Sequence, residues 1–219
     1  MDKVYDSPAE AVKDIPDSAT IMIGGWASSG VPRNLILALR DHGARNLTLI
    51  ANSPDTGQFV DMNILIENKQ VKRIICSIVF PGTRADLAKA SGELEIELVP
   101  QGTIAERIRA AGCGLGGFYT PTGVGTVVAS SKEIRTIDGR EYVFELPLKA
   151  DYALIGAYKA DTFGNLVYRG VMSNFNAVMA MASNVTIVQV QEIVEPGELD
   201  PNIIVTPQIF VDRIVKIPK

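Results

Sequence analysis

The chain has 219 residues, of which 47% are hydrophobic and 21% charged, and its 21 basic against 25 acidic side chains leave a net charge of -4. That length builds a substantial core without disulfides or metal, and the composition excludes a disordered chain. No Lys/Arg run is dense enough to track a phosphate backbone and no apolar run is long enough to cross a bilayer, so neither nucleic acid nor membrane is an expected partner.

The opening Met1-Asp-Lys-Val-Tyr-Asp6 lacks the basic and apolar regions of a secretory signal, and the expected location is the cytoplasm. Through the first half, short apolar runs at residues 20–23, 47–51, 73–78 and 94–99 read as buried strands. They alternate with helix-like stretches at 32–42, 60–68, 84–90 and 104–111. This alternation predicts βα units and an α/β fold with a mostly parallel sheet. Pro32 falls in the first turn of its predicted helix and Gly43 just past the end, the usual asymmetry of helix termini.

The second half changes character. Residues 134–137, then Asp138-Gly139, then 142–144 predict a hairpin, because Asp-Gly supplies the positive φ of a tight primed turn. Strands at 152–155, 165–168, 185–190 and 210–217, with a helix near 177–183, complete a mixed sheet with a small antiparallel element. Without linker, repeat or low-complexity segment, residues 1–219 are expected to form one domain.

Three stretches could carry chemistry. Residues 20–32 run a strand into Gly24-Gly-Trp-Ala-Ser-Ser-Gly-Val-Pro32, and ligands of open parallel sheets bind beyond the carboxyl ends of strands, where such turns aim N–H groups outward. Gly24, Gly25 and Gly30 fit that place, or simply permit a tight turn. The spacing is neither GxGxxG nor a P-loop.

In the second stretch, Thr103-Ile-Ala-Glu106 reads as a capping box that starts a helix with Thr103 as its N-cap, leaving Gln101 on the short connection after the strand. A side-chain amide beside a positive helix terminus suits stabilisation of a carbonyl oxyanion. Asn52 ends an earlier strand in the same topological position, so the two amides are expected around one crevice, although both residue types also serve ordinary loops.

The third stretch, Gly112-Cys-Gly-Leu-Gly-Gly-Phe-Tyr-Thr-Pro-Thr-Gly-Val-Gly-Thr126, is expected to shape a pocket or a contact between protein chains.

A nucleophile is missing. Cys76 and Cys113 have no CxxC spacing, and His42 is the only histidine, so neither a zinc site nor a named base for Cys113 emerges. Ser28 and Ser29 are not in a GxSxG elbow. Glu93, Glu95 and Glu97 alternate along a strand edge.

The residues from about Thr20 to the C-terminus resemble the α subunit of family I CoA-transferases, of the 3-oxoacid and short-chain fatty acid type. Carrying the resemblance are Asp17–Pro32, Glu97-Leu-Val-Pro-Gln-Gly-Thr-Ile-Ala-Glu-Arg-Ile-Arg109, Phe118-Tyr-Thr-Pro-Thr-Gly-Val-Gly-Thr126 and Asn174-Phe-Asn176. The resemblance implies a three-layer α/β fold shared with sugar-phosphate isomerases. It also implies a partner β subunit in an (αβ)₂ assembly, whose glutamate attacks the acyl-CoA thioester, since the Glu-Asn-Gly type motif is absent here. It places Gln101 at the thioester oxygen, Asn52 along the substrate site and the Gly24–Pro32 turn beside the reacting carbonyl. Coenzyme A is then a substrate, and no metal or redox cofactor is expected.

Departures from the family pattern cluster at Trp26, Ser28-Ser29, Ile78-Val-Phe-Pro81 and Met172-Ser173. Val79 and Phe80 suit a short fatty acyl chain, or pack the sheet. Two other readings stand at this point: a phosphosugar isomerase-like protein, which would need Lys or Arg around a phosphate and its own acid/base carboxylate, and a non-catalytic binding or assembly component.

Overall fold

A computed structural model describes residues 3–55 and 61–217. Strands β1 (Val4–Tyr5), β2 (Thr20–Ile23), β3 (Leu47–Ile50), β4 (Val71–Cys76) and β5 (Glu95–Leu98) come first. Helices α1 (Pro8–Val12), α2 (Arg33–His42), α3 (Asn63–Glu67) and α4 (Arg84–Ala90) lie between them. Then follow α5 (Gln101–Gly112), β6 (Phe118–Thr120), β7 (Ile134–Ile137), β8 (Arg140–Glu145), β9 (Ala150–Asp161), β10 (Leu166–Val167), α6 (Asn174–Ala180), β11 (Ser183–Val194) and β12 (Arg213–Lys216).

The main sheet runs β1-β12-β11-β9-β2-β3-β4-β5, all parallel, with short β10 antiparallel to β9. Strand order reverses between β2 and β9, which is where open α/β sheets leave a crevice. Side chains alternate across the sheet. Ile21, Ile23, Leu49 and Ile74 face a core made with α1 to α4, whereas Met22, Ile50, Ile75 and Ile155 face one made with α5 and α6. Three layers result, with helices on both faces, as the resemblance implied. A separate antiparallel sheet of β6, β8 and β7 contains the expected hairpin, with both Asp138 and Gly139 at positive φ.

Several boundaries move. The helix expected at 60–68 occupies Asn63–Glu67, and its first expected residue lies outside the described residues. Pro32 is the N-cap of α2 and not part of its first turn. Having no side-chain acceptor of its own, this end is closed by Gln189 of β11, whose Oε1 accepts from the amides of Asn34 at 2.9 Å and Leu35 at 3.3 Å. The capping box does not form. Helix α5 begins three residues earlier, with Pro100 as N-cap; Thr103 is buried in its first turn, and Glu106 pairs with Arg109 at 2.7 Å. The extended φ and ψ of Pro100 already set the chain up for entry into a helix, so no hydroxyl is required there.

One buried amide ties the glycine turn to the sheet. Asn176, fully buried at the start of α6, accepts from Gly156 N at 2.9 Å and donates to the carbonyls of Met172 at 2.7 Å and Gly30 at 3.1 Å. Its neighbour Asn174 donates to the Ser29 carbonyl at 3.1 Å. Glycine is required around this clamp: a Cβ on Gly24 would overlap Asn176 Oδ1, and one on Gly156 would stand 2.6 Å from the Gly30 oxygen. Gly24→Ala should therefore lower the urea midpoint by the equivalent of about 1–3 kcal/mol, the usual cost of overpacking. Gly102→Ala, whose Cβ would meet nothing within 4 Å in a helical position, should leave the midpoint unchanged or raise it.

Candidate active site

The carboxyl ends of β2, β3, β4 and β5 open into a cavity of about 840 Å³. Each strand contributes to its lining: Trp26 and Ala27 after β2, Asn52 and Ser53 after β3, Ser77, Ile78 and Phe80 after β4, and Gln101 after β5. The two amides singled out from the sequence thus share one space.

Gln101 is exposed and is the first residue of α5, so its amide sits at the positive end of a helix of 12 residues. Asn52 is mostly buried. Ser77 pairs with it twice, through a backbone bond of 2.9 Å to the Asn52 carbonyl and a hydroxyl 2.7 Å from that oxygen and 3.2 Å from Oδ1. This fixes the end of β3 against the end of β4, and Nδ2 remains the donor of the Asn52 side chain.

The glycine turn forms the opposite wall. Trp26 and Ser29 exchange backbone hydrogen bonds of 3.1 and 3.0 Å around a two-residue reversal in which Ala27 adopts a φ of 49°. This geometry leaves Trp26 half-exposed at the mouth. Gly24 and Gly25 line a small recess that shares Asn52, Ser53 and Asp55 with the main cavity, whereas Gly30 lines a separate hollow between α2 and β9.

Ile78 and Phe80 face the cavity, but Val79 between them packs against the core and does not line it. Alternation along an extended segment sends neighbouring side chains to opposite sides, so the pair Val79 and Phe80 is divided.

The cavity also holds residues the sequence did not single out. Asp55, Asp61 and Asn63 line it; Asn63 donates its side-chain amide to Asp55 Oδ1, and its backbone amide reaches Asp61 Oδ1 at 2.9 Å. Asp55 Oδ2 and Asn63 Oδ1 are buried and have no partner among the described residues. In sequence Asp55 belongs to an irregular segment, and Asp61 and Asn63 fall at the start of the stretch read as a helix, with no spacing that marks them as site residues.

The thiols and the histidine stand apart from the cavity's lining. His42 Nε2 lies 2.8 Å from the Ile15 carbonyl, which gives its ring a structural bond. Glycines of the third stretch serve packing: a Cβ on Gly112 would press on Met181, and one on Gly117 on the Phe144 ring.

With this geometry in place, comparison with known proteins is direct. The family model for coenzyme A transferases matches residues 5–217. The A-type subunit of 3-oxoadipate CoA-transferase from Pseudomonas putida is 48% identical over 221 residues, covering 99% of this chain and 94% of the relative. The alpha subunit of acetate CoA-transferase from Escherichia coli (strain K12) is 48% identical over 201 residues, covering 91% and 90%. A crystal structure of an acyl-CoA transferase from E. coli O157:H7, as a thioester complex with CoA, superposes with a TM-score of 0.88 at 26% identity, covering 99% of this chain and 47% of that one. The chain belongs to the coenzyme A transferase family. It aligns along nearly its whole length with proteins named as the A-type or alpha subunit of such enzymes, and spans about half of the longer acyl-CoA transferase.

The two cysteines should react very differently. Burial pushes the Cys76 thiol up to about 11, so it stays protonated and shielded at neutral pH, while Cys113 is exposed. Titration with a disulfide reagent at pH 8 should modify one thiol rapidly in the native chain and two after denaturation.

Proposed function

We propose that the chain is the α subunit of a two-component, cytoplasmic CoA-transferase that moves CoA between a short-chain acyl-CoA, such as acetoacetyl- or butyryl-CoA, and a small carboxylate such as acetate. The observation that supports this most is the meeting of Asn52, Gln101 and the glycine turn around one cavity at the carboxyl ends of four adjacent strands. Relatives named as one subunit of a pair support a β-subunit partner, and an (αβ)₂ assembly is the arrangement we infer. Among the described residues no helix is long and apolar enough to cross a membrane. The reading requires no metal or redox cofactor.

The chemistry then divides between chains. A glutamate oxygen of the partner attacks the thioester carbonyl, whose electrons move onto oxygen; collapse expels the CoA thiolate and leaves an acyl-glutamyl anhydride. The thiolate attacks the glutamyl carbonyl, releases the first carboxylate and gives a glutamyl-CoA thioester, which the acceptor carboxylate opens by the reverse steps. Gln101 is a neutral donor, so it stabilises the developing oxyanion without neutralising the attacking carboxylate. The helix terminus beneath it adds a fixed positive dipole in the same direction. Asn52, held by Ser77, supplies a second amide on the side toward β4.

A phosphosugar isomerase is disfavoured by the cavity itself, which holds carboxylates but has no Lys or Arg for a phosphate among its described lining residues.

Two measurements check the reading. Transfer of CoA from acetoacetyl-CoA to acetate should require co-expression with the β subunit; activity in this chain alone would refute the division of labour. In the assembled enzyme Gln101→Ala should lower kcat by about 10²–10³, the loss expected for one oxyanion donor, with the melting temperature unchanged because the side chain is exposed.

A further inference from the structure

We propose that the cavity selects uncharged acyl chains and turns away acyl groups that carry a second carboxylate, with Trp26, Ile78 and Phe80 as walls and Asp55 as the excluding charge. The inference rests on the reading of the chain as one half of a CoA-transferase, and it names the substrate class of that site. Family membership alone does not choose, since relatives of equal identity are named for a dicarboxylate, 3-oxoadipate, for succinyl-CoA with a 3-ketoacid, and for the monocarboxylate acetate.

The three wall residues present an indole, a sec-butyl and a phenyl group to a cavity of about 840 Å³, and each is substantially exposed: Trp26 52%, Ile78 42% and Phe80 49%. An alkyl chain laid against them removes apolar surface on both partners from water. A second carboxylate needs charge-assisted donors to replace its hydration. The described lining residues include no Lys, Arg or His. Arg84, next in chain to the lining residue Thr83, is paired with Glu67 at 3.1 Å.

The cavity instead offers acceptors. Asp55 receives Asn63 on one oxygen, and its other oxygen is buried. A carboxylate brought alongside meets like charge where water screens poorly.

The test is initial-rate kinetics of the assembled enzyme with butyryl-CoA against succinyl-CoA, at saturating acetate. Both acyl groups have a four-carbon skeleton and differ at the far end, methyl against carboxylate. The kcat/KM for butyryl-CoA should exceed that for succinyl-CoA by about tenfold or more. Phe80→Arg, at a half-exposed position, places a guanidinium at the wall and should narrow that ratio several-fold.

Equal or better use of succinyl-CoA by the unmodified enzyme overturns the selectivity and leaves the CoA-transferase reading standing. Transfer from none of butyryl-, succinyl- and acetoacetyl-CoA overturns both. A ratio unmoved in a folded, active Phe80→Arg enzyme overturns the assignment of the wall, and if that variant does not fold the ratio of the unmodified enzyme decides.

Discussion

The Asn176 side chain is the constraint on which the rest of the site depends. One fully buried amide satisfies donors and acceptors from β9, from the glycine turn and from the turn at residues 170–173 that precedes its own helix. A buried amide left without partners costs about 1–3 kcal/mol for each unsatisfied group, so the clamp acts as a unit. It also explains why glycine occupies both Gly24 and Gly156, positions where a methyl group would overlap the clamp or the turn it holds. Close approach of this kind holds the end of β2 against β9 at the point where strand order reverses, and the cavity opens on the other side of that junction, over the ends of β2 to β5.

From that junction the two walls of the cavity are mechanically linked. Helix α6 holds the glycine turn through Asn174 and Asn176 and packs on α5, where Gly112 lies against Met181 just past the end of α6. Gln101 begins α5, so its amide is carried at the tip of a rod and not on a free loop. Further along α5, Arg107 reaches Glu97 at 3.3 Å and the Leu146 carbonyl at 2.9 Å, tying the helix to the edge of the main sheet and to the segment after β8. Preorganisation of a donor depends on supports like these, because a hydrogen bond that must first be ordered adds less to the transition state.

The fold was largely legible because both of its periods were written in the chain. Buried strands read as short apolar runs, and glycines at residues 43 and 139 sat at the positive φ their turns demand. Asn52 and Gln101 were legible by topology, since each follows a strand that ends on the same side. What escaped were features fixed by contacts distant in sequence. Thr103 and Glu106 match a capping motif locally, yet packing of Thr103 into the core and entry through Pro100 start the helix earlier. Gln189 closes α2 from a separation of 155 residues, which no local pattern announces. Val79 and Phe80 look equivalent in sequence, and only the direction of the chain after β4 sends one inward and the other to the cavity. Asp55, Asp61 and Asn63 carry no spacing signal at all.

The frame and the lining of the cavity are built from different material. Asn176, the glycines and the strand ends are buried and interlocked, whereas Trp26, Ile78 and Phe80 project from that frame and contribute little to the core. Substitutions at half-exposed positions usually alter folding free energy by less than about 0.5 kcal/mol. Tolerance to change is thus concentrated where the acyl group would be read. A lineage carrying this scaffold can drift from one acid to another through three protruding side chains, without ever disturbing the amide that holds the scaffold together.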